Sequence, residues 1–221
     1  MKITPPRKEI ERYLGYRGYT ADDTVAPLID EAVEELSKNL QPKSVHKVFD
    51  IEKLTDKEIS FAGIDIVSEG LARNLAGCDK VVMAAFTIGH GVDQLIRRYE
   101  RTNILKAAVF QAAGAAAVEE YCDMINEQIR CYAEATGHSL KPRFSPGYGD
   151  LPLDLQKDFE RILAMNKNCG ISLTDSLLMI PSKSVTAFIG MYPSGKDSGS
   201  DASCSSCKEC SLKEKCGFKK N

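Results

Sequence analysis

The sequence has no long apolar run, no strong net charge and only three histidines. None of its apolar stretches approaches the roughly 20 residues that a membrane-spanning helix needs. The first eight residues carry no apolar segment of the kind found in signal peptides. The formal net charge is -2 over 221 residues, which argues against a nucleic-acid-binding protein that works by neutralising phosphates. We therefore expect a cytoplasmic protein without nucleic-acid or membrane partners.

The composition that remains is typical of a globular chain. Hydrophobic residues make up 43% of it and charged residues 27%, enough for one large core or for one domain with an appendage. Apolar periodicity and turn residues predict a mixed α+β fold. The predicted helices are Lys8–Leu14, a second helix capped by Thr20 and Asp23 and stopped at Gln41, Ser68–Leu75, Val92–Arg101, Asn103–Thr136, and one that opens at Asp154 and closes at Gly170. The predicted strands are Ser44–Ile51, one through Ile59, Phe61 and Ile64, Lys80–Ile88, Leu177–Ile180 and Val185–Met191.

Two of the predicted strands have particular consequences. Lys80–Ile88 is almost continuously apolar, a pattern that favours a strand covered on both faces. Leu177–Ile180 and Val185–Met191 are separated by only four residues, which predicts an antiparallel hairpin between them.

The longest predicted helix, Asn103–Thr136, is rich in alanine and glycine in its middle, so we expect close packing and a central place in the fold. Its second half turns acidic. Glu119 and Asp123 are four residues apart and share one face, with Glu120 on an adjacent one. On the residues alone, a solvated acidic face is the simplest interpretation.

The stretch Arg143–Pro152 cannot be helical, because Pro146 and Pro152 remove backbone donors and fix φ. Gly147 allows positive φ and lets a ligand approach the backbone closely. Arg143 supplies a forked cation suited to a carboxylate, and Tyr148 supplies an aromatic face with a hydroxyl group. The segment is either a simple connector between helices or a ligand-binding loop.

The eight cysteines fall into two groups. Four are scattered and are expected to be small buried apolar residues: Cys78, Cys122, Cys131 and Cys169. The other four crowd the C-terminal end, in the pattern Cys204-x2-Cys207-x2-Cys210-x5-Cys216. This spacing predicts an iron–sulfur cluster of the 4Fe-4S type, although no proline follows the last cysteine. A four-thiolate zinc site is the main alternative, and a tail without metal is the third.

A stretch rich in serine, glycine and aspartate precedes that cluster. The chain is therefore expected to comprise a domain over 1–192, a flexible linker over 193–203 and a metal-binding tail over 204–221.

The order of these features resembles the S-adenosylmethionine-binding reactivation domain of cobalamin-dependent methionine synthase. Arg143-Phe144-Ser145-Pro146-Gly147-Tyr148 matches the Arg-x-x-Pro-Gly-Tyr signature of that family. The preceding Glu120-Tyr121 and the following segment through Met179-Ile180-Pro181 to Ser184-Val185 keep its order. The similarity is best from about Val109 to Met191.

The resemblance implies a C-shaped α+β domain with a bent antiparallel sheet and flanking helices. It also implies that S-adenosylmethionine lies in a groove, with Arg143 on its carboxylate, backbone contacts from Ser145 and Gly147, and a hydroxyl contact from Tyr148. Glu120 is a candidate partner for a positive or donor group of the ligand. No acid or base is needed, since a sulfonium is already an activated methyl donor; the absence of a recognisable catalytic triad or dyad agrees with this.

The partners implied are a corrinoid-binding protein, such as a methionine synthase that lacks this domain, and a reductant such as flavodoxin or ferredoxin. None of His46, His90 and His138 lies in the Asp-x-His-x-x-Gly pattern of corrinoid carriers, so the cobalamin is expected on the partner. The alternatives are an iron–sulfur electron-transfer accessory, a sensor that binds S-adenosylmethionine or corrinoid without methyl transfer, and a purely structural module.

Overall fold

The computed structural model describes residues 3–16 and 18–195, and this part of the chain has a mixed α+β fold with an antiparallel sheet and flanking helices, as predicted. Its helices are α1 (Arg7–Tyr13), α2 (Ala26–Asn39), α3 (Glu69–Asn74), α4 (Gly91–Glu100), α5 (Ile104–Ala135), α6 (Gln156–Leu163) and α7 (Met165–Cys169), with a 3-10 helix at Leu153–Leu155. Its strands are β1 (Lys43–Asp50), β2 (Lys53–Leu54), β3 (Glu58–Phe61), β4 (Ile64–Val67), β5 (Lys80–Thr87), β6 (His138–Leu140), β7 (Ser172–Leu173), β8 (Met179–Ile180) and β9 (Ser184–Pro193). Among these described helices, none combines the length and the apolar character that crossing a bilayer requires.

The main sheet has four antiparallel strands in the order β1-β5-β9-β6. β5 lies between β1 and β9, and its side chains alternate between two hydrophobic cores, as expected for a pleated strand. Val82, Ala84 and Phe86 enter one core, and Val81, Met83 and Ala85 enter the other. The prediction that this strand is covered on both faces is confirmed.

The long helix α5 belongs to the first core, together with α1, α2 and α4. Asn103 caps it as predicted, since its side-chain oxygen accepts a hydrogen bond from the Lys106 backbone N–H at 3.0 Å. Its alanine-rich middle is buried, which lets neighbouring elements approach its backbone closely. The prediction of a central helix is confirmed.

The second core lies under a small three-stranded sheet, β2-β3-β4, and the helices α3, α6 and α7. The single strand predicted through Ile59, Phe61 and Ile64 is wrong. Ala62 and Gly63 adopt φ of 51° and 70° and reverse the chain, so that β3 and β4 form a hairpin.

Two predicted helix boundaries are also wrong. Thr20 does not cap α2, because the Asp22 carboxylate accepts hydrogen bonds from the backbone N–H groups of Thr24 and Val25 (2.9 and 3.0 Å) and holds a turn there. The helix expected to open at Asp154 begins as a 3-10 turn and is then broken into α6 and α7. The break is at Ala164, which adopts the left-handed φ of 47°.

The predicted hairpin between the last two strands does not form. β8 pairs with β7, whereas β9 is flanked by β5 on one side and by β6 on the other. Both hydrogen-bonding edges of β9 are therefore taken by strands that are distant in sequence.

The chain that leaves β6 continues along the same edge of β9. The Lys141 N–H donates to the Gly190 carbonyl at 2.8 Å, and Phe144 and Phe188 exchange two backbone hydrogen bonds of 2.9 and 2.8 Å. Successive side chains of extended backbone point to opposite faces. Phe144 accordingly packs against the second core, while Arg143 reaches α5 on the other side.

Three of the four scattered cysteines are buried as predicted: Cys78, Cys122 and Cys169. Cys131 is exposed, which corrects the expectation, because it lies on the outer face of the last turns of α5. The cysteines Cys204, Cys207, Cys210 and Cys216 and most of the predicted linker lie outside the described residues.

Candidate functional site

Arg143 is held between two carboxylates on one face of α5. Its Nη1 donates to Asp123 Oδ1 at 2.8 Å and its Nη2 donates to Glu119 Oε2 at 3.0 Å. The two acidic residues are four apart, so a single guanidinium can bridge them across one helical turn. Only 18% of the Arg143 side chain is exposed, so its guanidinium is fixed in place rather than free in solvent.

The charges of this arrangement, which we call the arginine clamp (Arg143, Glu119 and Asp123), do not cancel. One positive and two negative side chains leave a single net negative charge. Burial on its own lowers the pKa of Arg143, but the nearby Cys122, Asp123 and Glu119 outweigh it and hold that pKa above its usual value. Burial raises the pKa of the neighbouring Cys122 thiol to about 12, so the thiol stays neutral at physiological pH.

The sequence predicts Glu119 and Asp123 as a solvated acidic face, and it misses their ion pairs with Arg143. Their side chains are 43% and 50% exposed, so each is open to solvent on its other side. The available signal is their i, i+4 spacing, which places both carboxylates on one helix face within reach of a single cation.

The loop after Arg143 is a compact turn closed by its own backbone. The Ser145 carbonyl accepts from the Tyr148 N–H at 3.1 Å, and the Gly147 N–H donates to the Leu151 carbonyl at 2.9 Å. Gly147 has φ of 84°, a conformation that side chains rarely adopt, and a Cβ there would lie 3.2 Å from the Leu153 side chain. Glycine is therefore required by the turn itself.

Tyr148 projects from this turn with 65% of its surface exposed, and its ring meets Phe144 edge to face at 6.1 Å between centroids. Ser145 is half-buried beside it. An exposed aromatic side chain in the loop that follows a fixed cation provides both a flat surface and a hydroxyl group for a ligand.

Glu120 is not brought into the clamp. It follows Glu119 on α5 and is half-buried, but it lies about 100° further round the helix. Arg143 therefore binds the carboxylates on either side of it in the sequence and leaves Glu120 on an adjacent face.

Asp150 anchors the far end of the loop, a role that the sequence analysis missed. Its carboxylate accepts hydrogen bonds from the Ser68 hydroxyl (2.8 Å) and from the backbone N–H groups of Glu69 (2.6 Å) and Gly70 (3.1 Å) at the start of α3. Desolvation opposes the shift, but these hydrogen bonds hold the pKa of Asp150 below its usual value. The loop is thereby bound to α5 through Arg143 and to the start of α3 through Asp150.

A groove of about 630 Å³ lies between the 54–57 turn and α3, and the predicted ligand contacts Arg143, Ser145, Gly147, Tyr148 and Glu120 are not among its lining residues. Within the described residues, no group of three or more His, Cys, Asp or Glu side chains is arranged to hold a metal ion.

Comparison with known proteins places these features in a family. The family model for the vitamin B12 dependent methionine synthase activation domain matches residues 33–199. A crystal structure described as the MetH reactivation domain bound to AdoHcy has a similar fold, with a TM-score of 0.62 and 18% sequence identity. The match covers 91% of this chain and 80% of that one. Comparison with curated protein sequences gives no match.

Proposed function

Because this chain belongs to the family of the vitamin B12 dependent methionine synthase activation domain, we propose that it binds S-adenosylmethionine and supports reductive methylation of a corrinoid carried by a partner protein. The partner would be a methionine synthase or another corrinoid-binding protein. The structural relative described as bound to AdoHcy supports a ligand of this class, since AdoHcy is what remains when S-adenosylmethionine gives up its methyl group.

The observation that carries the proposal is the arginine clamp. A guanidinium has five N–H donors, and the two carboxylates on α5 engage only its two terminal nitrogens. The remaining donors can bind a ligand carboxylate, the contact for which arginine is best shaped. The net negative charge of the clamp also suits a ligand that carries an ammonium and a sulfonium group besides its carboxylate.

The other proposed contacts follow the loop. Ser145 and Gly147 would contact the ligand through backbone groups that the turn does not use, and the exposed Tyr148 would offer its ring face and hydroxyl group. Glu120 would accept a hydrogen bond from a positive or donor group of the ligand. Its half-buried place beside the clamp supports this role.

The chemistry asks little of these side chains beyond binding and orientation. When bound to the partner, the corrinoid supplies the cobalt that receives the methyl group together with one electron from a reductant. The residues of this chain hold the methyl donor by its carboxylate and leave its sulfonium free to face the partner.

The cysteines Cys204, Cys207, Cys210 and Cys216 are proposed to bind a 4Fe-4S cluster, which would give the chain a way to pass that electron from flavodoxin or ferredoxin in the cytoplasm. Anaerobically purified protein should then be brown and contain iron and sulfide, and Cys207→Ser should lose the colour. A colourless protein with one bound zinc ion would refute the electron-transfer role and leave the binding of S-adenosylmethionine untouched.

The proposal is tested by two measurements on the full chain. Calorimetric titration with S-adenosylmethionine should give saturable binding at one site per chain. A single-turnover assay with the isolated corrinoid partner and a chemical reductant should then show transfer of a labelled methyl group to the corrinoid. Binding without transfer would indicate a sensor, and no binding would reject the proposal.

A further inference from the structure

Lys183 lies in a slot that the helix α5 leaves open. Its side chain crosses Gly114, where a Cβ would come within 3.1 Å of Lys183 Cε and 2.8 Å of Val92 Cγ1. A side chain at position 114 would crowd both the lysine stem and Val92. At the end of this slot, Lys183 Nζ donates a hydrogen bond to Gln111 Oε1 at 2.7 Å.

The backbone around Lys183 is fixed on both sides. The Ile88 N–H donates to the Lys183 carbonyl at 3.2 Å. The preceding residue, Ser182, donates both its backbone N–H, at 2.9 Å, and its hydroxyl group to the carboxylate of Asp93. Asp93 is thus engaged by Ser182, and within the described residues no carboxylate lies within ion-pair distance of Lys183 Nζ.

The Lys183 ammonium and the Gln111 amide together carry more hydrogen-bond donors than acceptors. An ammonium group has three N–H donors, and Gln111 is the neutral acceptor for one of them. The side-chain amide of Gln111 carries two further donors on its nitrogen. Burial lowers the pKa of Lys183 below its usual value, with Asp93 opposing the shift. Asp93 acts on Lys183 only from beyond ion-pair distance, and a half-buried ammonium without a directly paired carboxylate is unfavourable unless an anion completes it.

We propose that Lys183 and Gln111 form a binding site for an oxyanion, either a phosphate or a carboxylate group. The site is separate from the arginine clamp: Gln111 and Glu119 are eight residues apart on α5, about 12 Å along the helix. It lies on the same helix as the clamp, so an anionic group of a larger ligand or of a partner molecule could reach it while the clamp is occupied.

Inorganic phosphate and acetate are the probes. Titration of each into the full chain, followed by two-dimensional amide NMR, should shift the backbone resonances of Ser182, Lys183 and Ser184 and the side-chain amide of Gln111, with saturation in the millimolar range. Stronger binding of phosphate than of acetate would point to a phosphate-bearing ligand, and the reverse order to a carboxylate. Absence of saturable shifts with both anions would overturn the proposal.

Three variants test whether the shifts in the anion titration come from the Lys183–Gln111 site. Lys183→Met keeps the apolar stem over Gly114 and should abolish the shifts. Gln111→Glu places a carboxylate on the ammonium and should also abolish them, because the site then holds its own anion. Lys157→Met removes an exposed lysine on α6 and should leave the titration unchanged.

If Lys183→Met and Gln111→Glu both respond to anions like the parent, the shifts come from general surface binding and the site does not exist. The Arg143→Ala variant should keep the anion response, so that failure of the methyl-donor proposal and failure of this one are told apart.

Discussion

Arg143 and Asp150 are two charged residues of one loop, and the protein uses them in opposite ways. The Asp150 carboxylate accepts hydrogen bonds from three donors at the start of α3, so it acts as a structural anchor. Arg143 is bound by two carboxylates on α5 and still has donors left over. The two side chains differ in how their hydrogen-bonding groups are used: three donors of one helix start converge on the Asp150 carboxylate, whereas the two ion pairs of Arg143 use two of its five N–H groups and leave the others for a ligand.

Phe188 supports the loop that carries Arg143 and Asp150 and belongs to the second core, so its loss should have the largest effect on stability. Its backbone holds Phe144 in the loop, and its fully buried ring packs on Phe159 and Phe61 at 4.7 and 5.8 Å between centroids. Phe188→Ala should lower the free energy of unfolding by about 3–5 kcal/mol, through lost burial and the cavity left behind. Urea-induced unfolding measures this loss. Phe188→Leu is the control and should lose much less, because leucine still fills most of the space; equal losses would contradict the assignment of the effect to lost burial and a cavity.

The anchor should be the next most sensitive element. Asp150→Ala removes the acceptor for three donors at the N-terminus of α3 and should lower the free energy of unfolding by about 0.5–2 kcal/mol, the range for a lost helix cap. Hydrogen exchange of the Glu69 and Gly70 amides should accelerate with it. Unchanged stability together with unchanged exchange at these amides would show that Asp150 is not an anchor.

The same anchor predicts a dependence on pH. The folded-state pKa of Asp150 is lowered, so its contribution is fully present above the ordinary aspartate pKa of about 3.9 and is lost as the pH falls through the lower folded value. The stability difference between the parent and Asp150→Asn should therefore be largest at neutral pH and shrink on acidification. Urea unfolding at a series of pH values measures it. A difference that stays constant, or grows in acid, would contradict the sign.

The clamp carboxylates should contribute least to stability. Glu119→Gln and Asp123→Asn each remove one charge from a partly exposed ion pair and should change the free energy of unfolding by about 0.2–1 kcal/mol. Glu127→Gln, which disrupts an exposed ion pair with Arg130 on the same helix, provides the control. A loss from Glu119→Gln as large as that from Asp150→Ala would make the clamp structural and remove the contrast on which its function is argued.

The sequence predicted those elements whose signal is local. The apolar run of β5 and the capped, alanine-rich α5 carried enough periodicity and capping information to be recognised. The pairing of β8 with β7 was not predictable in this way, because four residues between two strand-like runs say nothing about which distant strands already occupy the edges of β9.

For the candidate site, too, the sequence predicted some residues and missed the contacts of others. The motif predicts Arg143 and Tyr148 as ligand contacts; the structure shows Arg143 held by two ion pairs and Tyr148 exposed, and their role in binding stays a prediction. Glu119 and Asp123 were assigned to solvent and Asp150 was overlooked, since each of their partners is at least 20 residues away in the chain. A charge can be read from a sequence, but whether another part of the fold has already neutralised it cannot.

The most direct test of the account is the affinity for S-adenosylmethionine of two matched variants, Arg143→Ala and Asp150→Ala, measured by calorimetry under the same conditions as the parent. Arg143→Ala should lose about 1.5–3 kcal/mol of binding free energy, the range for hydrogen bonds to charged groups, or roughly ten- to a hundredfold in affinity. Asp150→Ala should bind within a few-fold of the parent once its folded fraction is taken into account. If Arg143→Ala binds as tightly as the parent, or if both variants lose affinity equally, Arg143 is a structural residue like Asp150 and the proposed ligand site is wrong.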